Sequence, residues 1–346
     1  MNLFPEKFNN ETELENHLST PDHGLVEMMK RLDGDIMILG IAGKMGVTMG
    51  KLAVNAIREA KVDKKVYGVA RFSDAAAREK LESAGISTIV CDLLDRDAVA
   101  KLPKVKNIVF MAGRKFGTDG SEELTWMMNV IVPANVIEHF KESRFTAFST
   151  GCVYPLLPVS AIGCKESVKP IPVGEYSQSC LGRERVFQYA ANSFGTKVLL
   201  FRLNYAIDLR YGVLHDIAQA VWKGEAVDNT VGFFNVIWQG DANHAALRSL
   251  ELADAPCAYL NVTGPETLSV EIVAHEFGRL FGKEVKFKQP VSGELCYLSD
   301  ASKMTSLLGN PSVPVSQMIK WQAAWIADGG TSLNKPTHYQ VNNGNF

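Results

Sequence analysis

The chain has 346 residues, 46% of them hydrophobic, with 36 Lys+Arg against 38 Asp+Glu, enough apolar material for one large domain or two closely joined ones. A formal net charge of -2, with neither a basic patch nor a long acidic run, argues against nucleic acid and membrane surfaces and for small-molecule partners. The six cysteines, at positions 91, 152, 164, 180, 257 and 296, stand singly. They form no close pair of the kind a zinc site or redox dithiol needs, and read as reduced thiols of a cytoplasmic protein.

In chain order, residues 1–34 read as a helical appendage. Residues 11–32 hold one or two short amphipathic helices, with a cap signal at Ser19-Thr20-Pro21-Asp22 and helical spacing of Leu25, Met28, Met29 and Leu32. Residues 1–32 carry charges throughout and no apolar run long enough for a signal peptide or a membrane span.

From Asp35 the pattern alternates. Strands are expected at 36–40, 65–70, 88–91, 107–112, 144–149 and 197–203, and helices at 45–60, 74–84, 96–102, 124–141 and 178–193. Such alternation predicts an α/β fold with a parallel sheet covered on both faces. Residues 35–211 form the dinucleotide-binding unit, with its sheet completed by later segments. Residues 212–328 form mainly a substrate lobe, and the polar stretch 329–346 an arm that packs or stays mobile.

Gly40-Ile41-Ala42-Gly43-Lys44-Met45-Gly46 lies between the first strand and its helix. In that context the first glycine permits a tight turn, the second lets backbone approach a pyrophosphate, and the third packs helix on strand. The phosphates then meet the helix N-terminus. After the second strand, Ala70 and Arg71 stand where an acid would hold an NAD ribose. Arg71 suits a 2′-phosphate, Lys44 could add a second charge there, and the pattern points to NADP rather than NAD.

Several pieces together carry a resemblance over residues 35–326. They are Gly40-x-x-Gly43-x-x-Gly46, Cys91-Asp92-Leu93-Leu94-Asp95, Met111-Ala112-Gly113-Arg114-Lys115, Asn129, Ser149-Thr150-Gly151-Cys152-Val153-Tyr154, Tyr176 with Ser179 and Glu184, and Tyr259-Leu260-Asn261-Val262-Thr263-Gly264. The chain resembles the extended short-chain dehydrogenase/reductases, the NAD-dependent epimerase/dehydratase family. The resemblance implies a Rossmann-type doubly wound parallel sheet with a small C-terminal substrate lobe, and a homodimer formed through the helices that follow Asn129 and Tyr176. It implies that Gly40, Gly43, Lys44, Met45, Gly46 and Arg71 hold the dinucleotide, with Asp92 and Leu93 on the adenine side. Ala112, Gly113, Lys115, Asn129 and Tyr176 would serve its nicotinamide half. Thr150 would orient the reacting oxygen, and Tyr176 would move its proton, which a phenol does near neutrality only with a depressed pKa.

Two departures stand out. The family's lysine four residues after the tyrosine is Cys180 here. Either Lys115 or Arg183 supplies the missing charge, or the oxidised nicotinamide suffices, or the site has lost turnover. A buried, inert Cys180 is the better reading than a nucleophile, because no histidine stands near it in sequence. The second departure is Phe234, near where nucleotide-sugar members present an arginine to the diphosphate.

The sequence therefore predicts an NAD(P)-dependent oxidoreductase or epimerase acting on a carbohydrate-like alcohol: a free sugar, sugar acid or lactone. Its candidate substrate groups are Thr150, Gln178, Asn204, Tyr205, Arg210, Trp238 and Gln239. The alternatives are a nucleotide-sugar epimerase or dehydratase, and a non-catalytic dinucleotide sensor.

Overall fold

A computed structural model describes residues 4–115, 117 and 120–344. Seven parallel strands form the central sheet: β1 Ile36–Leu39, β2 Val66–Ala70, β3 Ser87–Val90, β4 Asn107–Phe110, β5 Arg144–Thr150, β6 Lys197–Leu203 and β7 Ala258–Val262. Their spatial order is β3-β2-β1-β4-β5-β6-β7, so the chain winds outward from β1 in one direction and then from β4 in the other. β1 and β4 are fully buried along their lengths, as strands covered on both faces must be. The register places Leu39 beside both Val69 and Phe110. The loops leaving β1 and β4 therefore diverge from one point, the switch at which open α/β sheets bind ligands.

The expected elements are present with shifted ends. The helix carrying Tyr176 begins at Gly174, two residues before the tyrosine. The helix expected at 124–141 is interrupted by a π-helical turn at Met127–Ile131, and such turns recur at functional sites. The seventh strand falls inside the stretch expected to be mainly lobe.

The helices Val213–Lys223, Val270–Phe281 and Val315–Ala327 share a second apolar core that includes Trp238 and Trp321. The two N-terminal helices join the two cores. Leu14 and Leu18 of Glu11–Leu18 enter the lobe core, whereas Leu25, Met28 and Met29 of His23–Arg31 pack against the sheet. Asp22 caps the second of these helices, accepting from the Leu25 N–H at 2.6 Å. Among the described residues no helix is long and apolar enough to cross a membrane.

Candidate active site

The glycine loop is built for close approach. Gly40 has φ +90, and a Cβ there would lie 2.8 Å from the Ala112 nitrogen; a Cβ on Gly46 would lie 2.2 Å from the Ile41 carbonyl oxygen. Both glycines are therefore required by contact with neighbouring backbone. The helix they open, Gly46–Ala60, has no side-chain cap at Met45. An uncapped helix start behind a glycine turn fits the pyrophosphate of a dinucleotide.

Beside this loop lies a cavity of about 260 Å³. Gly40, Gly43, Lys44, Met45, Gly113 and Lys115 line its cofactor side. Thr150, Tyr176, Asn204, Tyr205 and Gln239 face them. These residues come from six separate stretches of chain, brought together because each follows the carboxyl end of a strand or opens the helix behind it. Thr150 ends β5, and its hydroxyl accepts from the Cys152 N–H at 3.2 Å. Tyr205 has φ 47, a strained conformation for a bulky residue and one that clusters at functional sites.

The electrostatics are those of a closed site. Burial raises the Tyr176 hydroxyl well above its usual range, the thiols of Cys180 and Cys152 push the same way, and Arg183 opposes them. Cys180 is 1% exposed, and burial pushes its thiol up to about 11, which leaves it protonated near neutrality and a poor nucleophile. Lys44 stands 3.0 Å from the centre of the Tyr211 ring. Burial, with Lys115 and Lys335 nearby, pushes its ammonium down to about 6. Lys115, lowered by burial, donates to the Thr337 carbonyl at 3.4 Å. The Thr337 N–H in turn donates to Asp216 at 2.8 Å, so the arm walls one side of the cavity.

The structure places several of the candidate site residues away from the cavity. Arg210 lies outside the cavity, its guanidinium enclosed by Asp208, Glu11 and Glu15 at 2.7, 2.9 and 3.1 Å. Trp238 is core, packed against Trp321. Gln178 is exposed and absent from the lining, because its helix turns that face to solvent. Leu93 fills the core, while Asp92 is exposed and accepts from the Leu94 N–H. Lys44 faces Tyr211 in the cavity, whereas Arg71 is exposed beyond β2.

Asn129 is a bracket rather than a lining residue. Its amide oxygen accepts from the Arg114 N–H at 2.8 Å, and its amide nitrogen donates to the Arg114 carbonyl at 3.0 Å and to Ser179 at 2.9 Å. Ala112 is buried beside Gly40 and also absent from the lining. Sequence reasoning missed Tyr211 and Thr337; no local pattern marks them, since distant segments bring them to the site.

Behind the cavity, Ser149 donates to Glu184 at 2.6 Å and Glu184 pairs with Arg202 at 2.7 Å. Arg202 in turn donates to the Tyr154 hydroxyl at 2.8 Å, which donates to Asn261 at 2.7 Å. This chain of contacts ties β5, β6, β7 and the Tyr176 helix into one rigid backing.

No protein-family model and no curated protein sequence matches the chain. Solved structures do. UDP-glucuronic acid 4-epimerase from Bacillus cereus, a variant in complex with UDP-4-deoxy-4-fluoro-glucuronic acid and NAD, superposes with TM-score 0.71 at 17% identity, over 85% of this chain and 99% of that one. UDP-glucose 4-epimerase from Thermotoga maritima, with UDP-glucose, gives 0.70 at 18% identity over 85% and 99%. The dTDP-glucose 4,6-dehydratase of Streptomyces venezuelae, with NAD bound, gives 0.71 at 15% identity over 85% and 97%. The chain shares its fold with these two epimerases and the dehydratase. At these identities the likeness is one of architecture.

Proposed function

We propose that the chain is an NAD(P)-dependent, sugar-modifying enzyme of the epimerase/dehydratase family. The carrying observation is that Thr150 and Tyr176 meet the glycine loop and Gly113 around one cavity. A nicotinamide bound there supplies the hydride acceptor and donor. Tyr176 moves the proton of the substrate oxygen, Thr150 orients that oxygen, and the buried walls keep bulk water away. Retention of both hydroxyls in one cavity favours an enzyme over a sensor, which needs neither.

The sequence favours a free sugar, sugar acid or lactone; the similar structures, holding UDP-glucose or a UDP-glucuronic acid derivative, move the balance to a nucleotide-linked sugar, which we adopt. One observation keeps the smaller substrate as a second reading: Phe234 is 1% exposed in the lobe core, leaving no cation at that place for a diphosphate. For the cofactor, Arg71 supports NADP, while the similar structures hold NAD.

A homodimer is supported by exposed apolar side chains on the helices after Ser121 and Gly174, among them Trp126, Ile131, Tyr189 and Phe194. A monomeric mass in solution would overturn it.

The deciding experiment identifies the nucleotide released by denaturing the purified protein, then follows reduced-nicotinamide absorbance with UDP-sugars, dTDP-glucose and free sugars. Turnover with a nucleotide sugar, lost about 10²–10⁴-fold in Tyr176→Phe with cofactor affinity kept, supports the proposal. A tightly held cofactor that responds to no sugar overturns it in favour of a sensor.

A further inference from the structure

The Tyr176 helix lacks a lysine at position 180, yet the same helix face carries a cation. Tyr176, Cys180 and Arg183 stand at i, i+4 and i+7, one above another along the helix. Cys180 packs into an apolar cluster with Val153, Tyr154 and Cys164. Arg183, only 6% exposed, lines the cavity beside Tyr176 and Gly113.

Its guanidinium is anchored at its back. Nη1 donates to the Phe148 carbonyl of β5 at 2.9 Å, Nη2 to the Asn129 amide oxygen, and Nε to the Asn129 carbonyl at 3.4 Å. A guanidinium has five N–H donors in a fixed fork, so these bonds leave two. The loop after β4 lies close over it: a Cβ on Gly113 would lie 2.3 Å from Nη2, so a larger residue there would press on the guanidinium.

The partners of the buried arginines make the point sharper. Arg202 is paired with Glu184, and Arg210 with Asp208, Glu11 and Glu15. Arg183, among the described residues, is bonded to uncharged oxygens only. A buried charge left without a counter-charge is costly, and one that borders a cavity is placed to act on what enters.

Lys115 is the rival cation: its ammonium donates to the Thr337 carbonyl at 3.4 Å and its charge falls on the Cys152 and Cys180 thiols, whereas the cation that acts on Tyr176 itself is Arg183. We propose that Arg183 replaces the helix lysine, its two remaining N–H groups holding the nicotinamide-side ribose and its charge favouring the ionised form of Tyr176. The proposal rests on the dinucleotide reading of the site. It agrees with the field at Tyr176, where Arg183 counters burial and the neighbouring thiols.

The test titrates NAD(H), NADP(H) and ADP into the wild type, Arg183→Met, Arg183→Lys and the double variant Cys180→Lys/Arg183→Met, following tryptophan fluorescence. Thermal melts accompany each titration. Arg183→Met is expected to weaken the preferred dinucleotide about ten- to a hundredfold, the loss of hydrogen bonds from a charged group. ADP affinity stays unchanged, since ADP lacks the nicotinamide half. The double variant, with lysine restored one turn earlier, regains most of the affinity, and the acidic limb of its pH–rate profile, set by ionisation of Tyr176, returns from the higher pH seen in Arg183→Met.

Dinucleotide affinity unchanged in a folded Arg183→Met overturns the proposal, as does an equal loss of ADP. If Arg183→Met fails to fold, the double variant decides: wild-type melting with weak binding overturns the proposal, and restored binding supports it. A wild type that binds ADP but neither dinucleotide overturns the dinucleotide reading itself, a result distinct from the others.

Discussion

Arg210 and Arg183 are both buried within a few residues of a strand's carboxyl end or the helix behind it, and their surroundings are opposite in kind. Three carboxylates enclose Arg210; a carbonyl and an amide side chain hold Arg183 at the wall of a cavity. A neutralised arginine joins segments together. One anchored by uncharged oxygens keeps its field for a ligand. Burial and residue type alone do not separate these cases; the charge of the partners does.

The largest expected effect that tests this contrast is on stability. Arg210→Met leaves Asp208 buried without its cation, while Glu15 keeps Lys51 and Lys80, and should cost about 3–5 kcal/mol in denaturant unfolding, with dinucleotide affinity of the folded fraction unchanged. A loss of affinity without a loss of stability would erase the contrast.

Acid titration is the next sharpest probe. Burial works against the Glu15 carboxylate, but hydrogen bonds from Lys51 and Lys80 outweigh it and hold the carboxyl at about 2. That lies below its usual 4.5, so the unfolded chain takes up the proton first. The stability Glu15 contributes is full above about pH 4.5 and is lost as pH falls toward 2. Melting temperatures of the wild type and Glu15→Gln should converge across that window, and a constant gap would exclude the ionised carboxylate as the cause.

The smallest effect belongs to the open adenosine end. Arg71→Glu should weaken NADP about tenfold or more relative to NAD, with no change in melting temperature, because Arg71 is exposed. An unchanged NADP/NAD ratio of dissociation constants would remove Arg71 from cofactor choice.

Much of the fold was legible, because strand and helix periods alternate cleanly from Asp35 and each glycine of the first loop sits at an element boundary. Thr150, Tyr176 and the glycine loop were legible for the same reason: their motifs are local, and the fold needs only to bring the ends of adjacent strands together. Arg210 and Trp238 were misplaced because a polar or aromatic residue near a site reads alike whether it faces the ligand or the core. Only tertiary partners decide, here Glu11 and Glu15 from some 200 positions earlier and Trp321 from the last helix. The contribution of Thr337 was illegible on the same ground, since its neighbours Lys115 and Asp216 lie more than a hundred residues away.

The charged hub around Glu15 also bears on how the molecule moves. It joins the first helix, the glycine-loop helix through Lys51, the following helix through Lys80 and the entrance to the lobe through Arg210. Swinging the lobe away from the sheet like a jaw would strip partly desolvated charges of their partners. The stretch carrying Thr337, by contrast, reaches the cavity wall through a 3.4 Å backbone contact with Lys115, so it can part from the wall without stripping any charge of its counter-charge.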